Sequence, residues 1–257
     1  MLERFAKAKA GEIAALRERE KAGAMPLPKP GARPGFAASL KAAPGAAVIA
    51  EYKRASPSRG DINLSLPPQT VAAAYAGAGA RAISVLTEET YFKGNLACLE
   101  AMAGAGLPLL RKDFILDPLQ IDATAATDAS AVLIIVRMVN APALRELLDR
   151  CRLRGLEAVV EIFDEPDLER ARAAGASIIQ VNNRDLDTLA VDMRVSERLI
   201  RRKSTGETWI SASGVRTREE LTRLLDCGFD AALVGTFLME GADPGAGLAA
   251  LLGAGHA

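Results

Sequence analysis

Two lysines and two glutamates stand at the ends of apolar runs that lie far apart along the chain. Glu51 and Lys53 follow the first run, Lys112 the third and Glu161 the fifth. Each of them, taken singly, fits a solvated strand end. Charged side chains are costly to bury unless they are paired or placed for chemistry. Ammonium and carboxyl groups that converge on one cavity can exchange protons with a substrate, so the set predicts general acid–base catalysis.

Histidine takes no part in this prediction. The only histidine is His256, next to the C-terminus in a Gly/Ala tail. This excludes Ser-His-Asp and Cys-His nucleophile systems, and it excludes His-rich metal sites. Acid–base chemistry in this protein therefore depends on Lys, Glu and Asp.

Eight short apolar runs alternate with helix-like segments at intervals of roughly 20–35 residues, the spacing of successive βα units. The runs show little internal alternation, which is typical of strands buried on both faces of a parallel sheet. They are Val48–Ala50, Ala82–Leu86, Leu107–Leu110, Ala131–Val136, Ala158–Val160, Ile178–Val181, Trp209–Ile210 and Ala231–Val234. We predict an α/β fold, a single (βα)8 TIM barrel over residues 47–252. An open doubly wound sheet is the main alternative, but no G-x-G-x-x-G follows the first run and eight regular units are what closure requires.

The segment before the barrel, residues 1–46, has a different pattern. Leu2, Phe5, Ile13 and Leu16 lie at approximately helical spacing among charged residues, which predicts an amphipathic helix over residues 2–24. The proline-rich MPLPKPGARPG ends that helix, and FAASLKAA predicts a short turn or helix leading to Pro44. We interpret the segment as an N-terminal helical extension that caps the barrel, and residues 253–257 as a flexible tail.

Two glycine-containing segments follow the last two runs. They are SASG at Ser211–Gly214 and VGT at Val234–Thr236. Barrels commonly bind phosphate at this position through backbone N–H groups and a helix N-terminus, and glycine lets the backbone approach the anion. Two tight turns are the alternative interpretation. The loop Ser56–Gly60, with its hydroxyls and Arg59, fits an anion contact and a surface connection equally well.

Composition restricts the remaining possibilities. A chain of 257 residues with 49% hydrophobic and 25% charged residues is typical of one large buried core. Lys+Arg and Asp+Glu both total 32, so no net charge attracts nucleic acid or a membrane surface. The cysteines are widely spaced, which fits a reducing compartment, and the N-terminus lacks the apolar core of a signal peptide. We expect a cytoplasmic protein that binds a small molecule.

Seven segments carry a more specific pattern, and they occur in order along the barrel. They are IAEYKRASPSRGDI, LTEETYFKG, LLRKDFILDPLQI, VVEIFDEPDL, IIQVNNRDLDTL, SASGV and LVGTFLM. Together they resemble the indole-3-glycerol-phosphate synthase family of tryptophan biosynthesis, over Val48 to Leu252. The resemblance implies a barrel with an N-terminal extension and no metal or organic cofactor. It implies a carbon–carbon lyase that converts 1-(2-carboxyphenylamino)-1-deoxyribulose 5-phosphate to indole-3-glycerol phosphate, with loss of CO2 and water. We expect a monomer, and contact with other tryptophan-pathway enzymes is left open.

The family pattern implies a role for each matching residue. Lys112 would be the general acid that activates the substrate carbonyl during ring closure. Glu161 would serve the proton transfers of dehydration, supported by Glu51 and by Lys53. An ammonium can protonate the ketone oxygen as it becomes an alcohol, and a carboxylate can stabilise transient positive charge on the ring nitrogen.

The same pattern implies the substrate-binding residues. Asn182 and Ser213 would position the substrate. Phe92 and Phe114 resemble the lining of the anthranilate ring's pocket, with ordinary core packing as an equal alternative. The phosphate would be held by Lys53, Ser56, Gly214, Gly235 and Thr236.

One residue departs from the family pattern. The family usually has S-E-S-G after strand seven, whereas this chain has Ala212 in place of the glutamate. Because that carboxylate would contact the lysines, we hypothesise activity that is retained but reduced. Ala212 also leaves open a degenerate barrel that binds phosphate without turnover. A Schiff-base aldolase is the other alternative. It needs a lysine of lowered pKa, and the acidic neighbours of Lys53 and Lys112 favour the ammonium form.

Overall fold

Eight parallel strands close into a barrel, as predicted. The computed structural model describes residues 2–42 and 46–253, so Pro44, His256 and most of the predicted tail lie outside the described residues. Each strand pairs with the next one along the chain, and Ala50 in the first strand lies opposite both Ile83 of the second and Val234 of the last. The strands are β1 (Val48–Tyr52), β2 (Ala82–Leu86), β3 (Leu109–Lys112), β4 (Ala131–Ile135), β5 (Glu157–Ile162), β6 (Ile178–Asn182), β7 (Thr208–Ala212) and β8 (Ala231–Val234).

Helices precede the barrel and fill the connections between its strands. α1 (Leu2–Lys21) and α2 (Phe36–Lys41) come before β1. The others are α3 (Pro68–Gly77), α4 (Leu96–Met102), α5 (Pro118–Ala125), α6 (Ala141–Leu153), α7 (Glu165–Ala173), α8 (Arg194–Leu199), α9 (Arg218–Asp226), α10 (Thr236–Glu240) and α11 (Pro244–Leu252). Short 3₁₀ turns at Ala103–Ala105, Val136–Met138 and Ile200–Arg202 complete the connections. Within the described ranges, no helix has the length and apolarity needed to cross a bilayer.

The predicted strand ends were wrong at the carboxyl side of six strands. β4 ends at Ile135, one residue before the predicted Val136, because a 3₁₀ turn begins there. β1, β3, β5 and β7 run two residues further than the apolar pattern indicated, and β6 runs one further. Glu51, Lys112, Glu161 and Asn182 are therefore inside strands, not beyond them. The hydrophobic pattern stops where the inward side chains become polar, but backbone pairing continues, as between Glu51 and Ser84. The loop after β1 also contains a small hairpin, in which Ala55–Ser56 pairs with Gly60–Asp61.

Side chains alternate along each strand between the barrel interior and the layer under the helices. In β1, Val48 and Ala50 pack in the outer core, whereas Ile49 belongs to the inner apolar cluster. Inner members from other strands include Leu110, Leu133 and Ile210. Glu51 continues the inward series of Ile49, so the strand itself directs its carboxylate into the barrel.

The N-terminal extension covers both ends of the barrel. At the carboxyl end of the strands, Phe5 of α1 stacks on Phe114, with ring centroids 4.1 Å apart, and meets Tyr91 edge-on. At the other end, buried Phe36 begins α2, and the backbone N–H of Ala37 donates to the Glu157 carboxylate at 3.1 Å. The extension therefore belongs to the barrel's own core.

A buried charge network holds α1 to the end of β3. The ammonium of Lys9, whose side chain is 6% exposed, pairs with Glu12 and lies 2.8 Å from Asp113. Asp113 also accepts from Arg111 at 2.8 Å and from the Thr87 hydroxyl at 2.7 Å. Burial opposes ionisation of Asp113, but Arg111 and Lys9 outweigh it and lower the pKa of this carboxyl. The network ties the extension to the strand that carries Lys112.

Replacement of Lys9 by Met should destabilise the fold. It leaves two carboxylates short of a buried cation, and because Arg111 and Thr87 still serve Asp113, we expect the free energy of unfolding to fall by about 2–3 kcal/mol. Lys21→Met is the matched control, since Lys21 pairs with Glu18 in solvent and such pairs contribute about 0–1 kcal/mol. Urea titration followed by the fluorescence of Trp209 measures both, and equal losses would contradict the network's role.

Candidate active site

Glu51 lies at the centre of a buried cluster of charges. Its Oε1 is 2.9 Å from Nζ of Lys53, its Oε2 is 2.9 Å from Nζ of Lys112, and the Ser84 hydroxyl donates to Oε2 at 3.4 Å. Burial by itself raises the pKa of Glu51, but Lys112 and Lys53 outweigh that effect and lower it to about 2. Glu51 is therefore a permanent carboxylate at neutral pH.

The two lysines differ in proton affinity. Burial tends to lower the pKa of Lys112, but Glu51 and Glu161 raise it above its ordinary value. For Lys53 burial prevails over its contact with Glu51, and the nearby Lys112 and Arg184 act in the same direction, so its pKa is lowered. The expected stabilisation of the ammonium form by acidic neighbours thus prevails at Lys112 and not at Lys53.

Glu161 is the second carboxyl of the cluster, and its pKa is shifted the other way. Burial raises the pKa of Glu161, against the opposing effect of Lys112 and of two amide donors. Asn182 Nδ2 donates to Oε1 at 3.1 Å, and Gln180 Nε2 donates to Oε2 at 2.6 Å. Two carboxyl groups with opposite pKa shifts in one cavity are a common sign of divided acid–base roles.

Asn182 is held by a strained turn after β7. Its Oδ1 accepts from the Ser213 hydroxyl and from the backbone N–H of Arg184, each at 3.0 Å. These bonds turn the Nδ2 group toward Glu161. Ser213 has φ 69°, a left-handed conformation that costs a non-glycine residue free energy. Such strain is maintained where a site requires it.

Two adjoining cavities meet over this cluster, and Glu51, Lys53, Lys112 and Ser213 line both. The larger, of about 580 Å³, is lined on its other sides by Gly214, Gly235 and Thr236. The smaller, of about 110 Å³, is lined by Glu161, Asn182 and Ser56. The structure therefore brings together all the residues singled out from the sequence, and Thr236 lines both cavities, so that it shares the smaller one with Ser56.

Three phenylalanine rings line the smaller cavity. Phe114 is stacked on Phe5, and Phe92 lies 6.1 Å from Phe114 and 6.3 Å from Phe5 between ring centroids. The carboxylate of Glu88 accepts the backbone N–H groups of Thr90, Tyr91 and Phe92, which holds the loop that carries Phe92. Phe114 belongs to the inner apolar core and also lines the cavity wall, so core packing and a place at the cavity are compatible for this residue.

Sequence reasoning missed or left unassigned several residues of the site, among them Phe5, Arg184 and Gln180. Phe5 belongs to a helix far from the barrel motifs, and no local pattern links it to a cavity. Arg184 stands at a strand end and lines both cavities. Gln180 interrupts the apolar run of β6 at an inward position, and a polar residue there is a signal that could have been noticed.

Gly235 has a steric reason that the sequence does not show. A Cβ atom at this position would lie 2.3 Å from Oε1 of Glu51 and 2.9 Å from its Cδ. The carboxylate thus occupies the space over the glycine, and a side chain there must displace it. Gly214 has φ 117°, which few other residues adopt.

Fold and cavity define the class, a (βα)8-barrel enzyme with acid–base groups and glycine turns at the carboxyl ends of its strands. The model of the family described as indole-3-glycerol phosphate synthase matches residues 2–251. A relative of that name from Desulfosudis oleivorans is 46% identical over 200 residues, 77% of this chain and 76% of the relative. Indole-3-glycerol phosphate synthase 2 of Streptomyces coelicolor is 43% identical over 249 residues, 96% of both chains. The chain belongs to the indole-3-glycerol phosphate synthase family.

Solved structures support the fold alone. Thiamine phosphate pyrophosphorylase from Pyrococcus furiosus superposes with a TM-score of 0.62 at 13% identity, over 84% of this chain and 96% of that one. N-acetylmannosamine-6-phosphate 2-epimerase from Clostridium perfringens gives a TM-score of 0.59 at 17% identity, over 77% and 89%. At these identities the likeness shows the barrel and nothing about the substrate.

Gly235→Ala should impair catalysis through Glu51. The added methyl must push the carboxylate away from the two lysines, and displacement of a catalytic group by about 1 Å can cost roughly 10²-fold in rate. We expect kcat/KM for formation of indole-3-glycerol phosphate to fall by about that factor. Gly77→Ala, in α3 with open space around the new Cβ, is the control and should leave kcat/KM unchanged. Equal activity of the two variants would contradict the steric argument.

Proposed function

We propose that this protein closes 1-(2-carboxyphenylamino)-1-deoxyribulose 5-phosphate to indole-3-glycerol phosphate, with release of CO2 and water. Membership of the family, across nearly the whole chain, supports a carboxy-lyase of tryptophan biosynthesis. The observation that carries the division of roles is the placement of Lys112, which is bonded to Glu51 at 2.9 Å and raised in pKa by both Glu51 and Glu161.

Lys112 is the proposed general acid of ring closure. As the aromatic carbon attacks the ketone, the carbonyl oxygen gains negative charge and needs a proton to become an alcohol. An ammonium held protonated by two carboxyl groups can supply this proton, which passes from the cluster to the substrate oxygen as that oxygen becomes an alcohol. Because Glu51 remains ionised, it can stabilise the positive charge that develops on the ring nitrogen before CO2 departs.

Glu161 is the proposed base of dehydration. A carboxylate of raised pKa binds a proton more strongly than an ordinary one, which suits removal of a carbon-bound proton as the hydroxyl leaves. Lys53, whose pKa is lowered, is the proposed donor of the proton that lets the departing hydroxyl leave as water, and it lies on the other oxygen of Glu51. Asn182 and Ser213 are the proposed substrate-positioning residues.

The larger cavity is the proposed phosphate site. The backbone N–H groups at Gly214, Gly235 and Thr236 lie in or just after the turns that follow β7 and β8, where barrels commonly bind phosphate. Lys53 and the half-buried Arg184 add positive charge along the same wall. Ser56 is the proposed hydroxyl contact from the hairpin. On the other side, Phe92 and Phe114 are the proposed walls of the anthranilate pocket.

We also propose that the protein acts in the cytoplasm as a monomer. Cys98, Cys151 and Cys227 are free thiols, which suits a reducing compartment. Among the described residues the large exposed apolar side chains are Leu27, Leu64, Leu153 and Val191, which lie on separate segments of the chain. Light scattering of the purified protein measures the oligomeric state directly, and sedimentation with other tryptophan-pathway enzymes tests docking.

Lys112→Met is the sharpest test of the proposed function. The wild-type protein should produce the fluorescence of indole-3-glycerol phosphate from the carboxyphenylamino substrate, and the variant should lose about 10²–10⁴ in kcat while it still binds product. Lys203→Met is the control, because Lys203 pairs with Asp230 at 2.7 Å and lines neither cavity. A wild-type protein that binds product without turnover would support the degenerate phosphate-binding barrel instead.

Ala212→Glu tests the departure from the family pattern. Ala212 is buried on the inner wall of β7, opposite Asn182. A glutamate there adds a carboxylate to a cluster with two ammonium groups, and we expect kcat/KM to rise by on the order of tenfold, about 1.4 kcal/mol of transition-state stabilisation. Ala212→Gln has the same length without the charge and should give no such rise. Identical kinetics of the three proteins would show that the position is neutral.

A further inference from the structure

Gln180 is a polar side chain in the apolar layer beneath the active site. It lies in the middle of β6, has no exposed surface, and follows the inward-facing Ile178 by two residues. Its backbone pairs in register with Glu161 of β5 on one side and Ile210 of β7 on the other. A methionine or leucine would fill this layer without polar atoms, so the amide needs an explanation.

The amide of Gln180 is used on one side only. Nε2 donates to Oε2 of Glu161 at 2.6 Å, while Oε1 has no hydrogen-bond partner among the described residues. A buried acceptor without a partner costs folding free energy. Gln180 therefore differs from Gln120, whose amide oxygen and nitrogen are both hydrogen-bonded. The Gln120 amide bonds three backbone groups around the β3–α5 turn.

Together with Asn182, Gln180 holds the Glu161 carboxyl at both oxygens. Asn182 is two residues further along the same strand and donates to Oε1 at 3.1 Å. Two amide donors on one strand fix both the plane of the carboxylate and its direction. Both bonds require an acceptor at Glu161, so they favour the ionised form of this carboxyl.

We propose that Gln180 is a positioning residue for the reaction, which orients the ionised Glu161 carboxylate as the proton acceptor of the dehydration step. The proposal rests on the role proposed for Glu161. The unpartnered Oε1 is then the stability cost of a bond that serves the site. Selection for stability alone would favour an apolar residue here.

The other groups that act on Glu161 come from two strands. Lys112 of β3 favours the carboxylate, whereas Glu51 of β1 disfavours it, and Lys53 faces Glu51 rather than Glu161. Burial raises the pKa of Glu161, and the Gln180 bond opposes that rise. Loss of the bond must therefore move the pKa of Glu161 further upward. A base is inactive once it is protonated. If its pKa is higher, activity is already lost at a higher pH as the solution is acidified.

Gln180→Met separates positioning from structure. It keeps the length of the side chain, removes the donor and also removes the unpartnered acceptor. We expect kcat for formation of indole-3-glycerol phosphate to fall about tenfold or more with little change in KM. The acidic limb of the pH–kcat profile should move to higher pH, and Tm should be unchanged or raised. Gln120→Met is the matched control. It should lower Tm, because backbone groups lose their partner, and leave the acidic limb in place.

A direct titration makes the test independent of turnover. In protein labelled with 13C at the glutamate Cδ atoms, the Glu161 signal, assigned by its absence in Glu161→Gln, should titrate at higher pH in Gln180→Met than in wild type. If wild type forms no indole-3-glycerol phosphate, the proposed function fails, and this titration still decides the positioning role. An unmoved Glu161 titration, or a lowered Tm with an unmoved acidic limb, would overturn the inference.

Discussion

The site depends on one buried carboxylate that two ammonium groups share. Glu51 has almost no exposed surface and touches Lys53 and Lys112 through different oxygens, both at 2.9 Å. In a medium of low polarity neither lysine could remain charged without it, and Glu51 could not remain charged without them. The two ammonium groups and the guanidinium of Arg184, which lines both cavities, exceed the carboxylates of Glu51 and Glu161 by one positive charge. A cavity with such a balance favours an anionic substrate, and it does so in a chain whose own charges cancel.

The barrel creates this arrangement through register. Inward side chains alternate along each strand, and in β1 the apolar Ile49 gives way to Glu51 one step nearer the carboxyl end. The same change from apolar to polar occurs at Lys112 and Glu161. The lower layers of the interior are mostly apolar, so the charges are confined to one depth and must meet there. Gly235 completes the geometry, because β8 leaves open the volume that the Glu51 carboxylate occupies.

How far the sequence predicts this molecule follows from which forces act locally. Ala82–Leu86 and Ala231–Val234 were predicted without error because apolar pattern and backbone pairing end together there. The predicted runs at β1 and β5 were too short, because pairing continues through inward polar residues that hydrophobicity alone assigns to a loop.

The convergence of Glu51, Lys53, Lys112 and Glu161 was predictable, since the fold's symmetry implies it. Phe5 was not, because its contact with Phe114 joins segments more than a hundred positions apart. The unequal pKa shifts of the two lysines depend on burial at atomic detail, which spacing does not encode.

The end of β3 shows why the N-terminal extension matters to catalysis. Arg111 and Asp113 flank Lys112 in sequence and, by the alternation of the strand, turn to the opposite side from it. On that side Lys9 of α1 pairs with Asp113, and Glu12 of α1 pairs with Arg111. Lys112 turns inward and is bound by Glu51. The backbone that carries the proposed general acid is thus held by ion pairs on both of its faces, one set from the extension and one from β1. A helix outside the barrel pattern therefore fixes the position of an ammonium inside the barrel. The attachment of that helix and the placement of Lys112 depend on adjacent residues at the end of one strand.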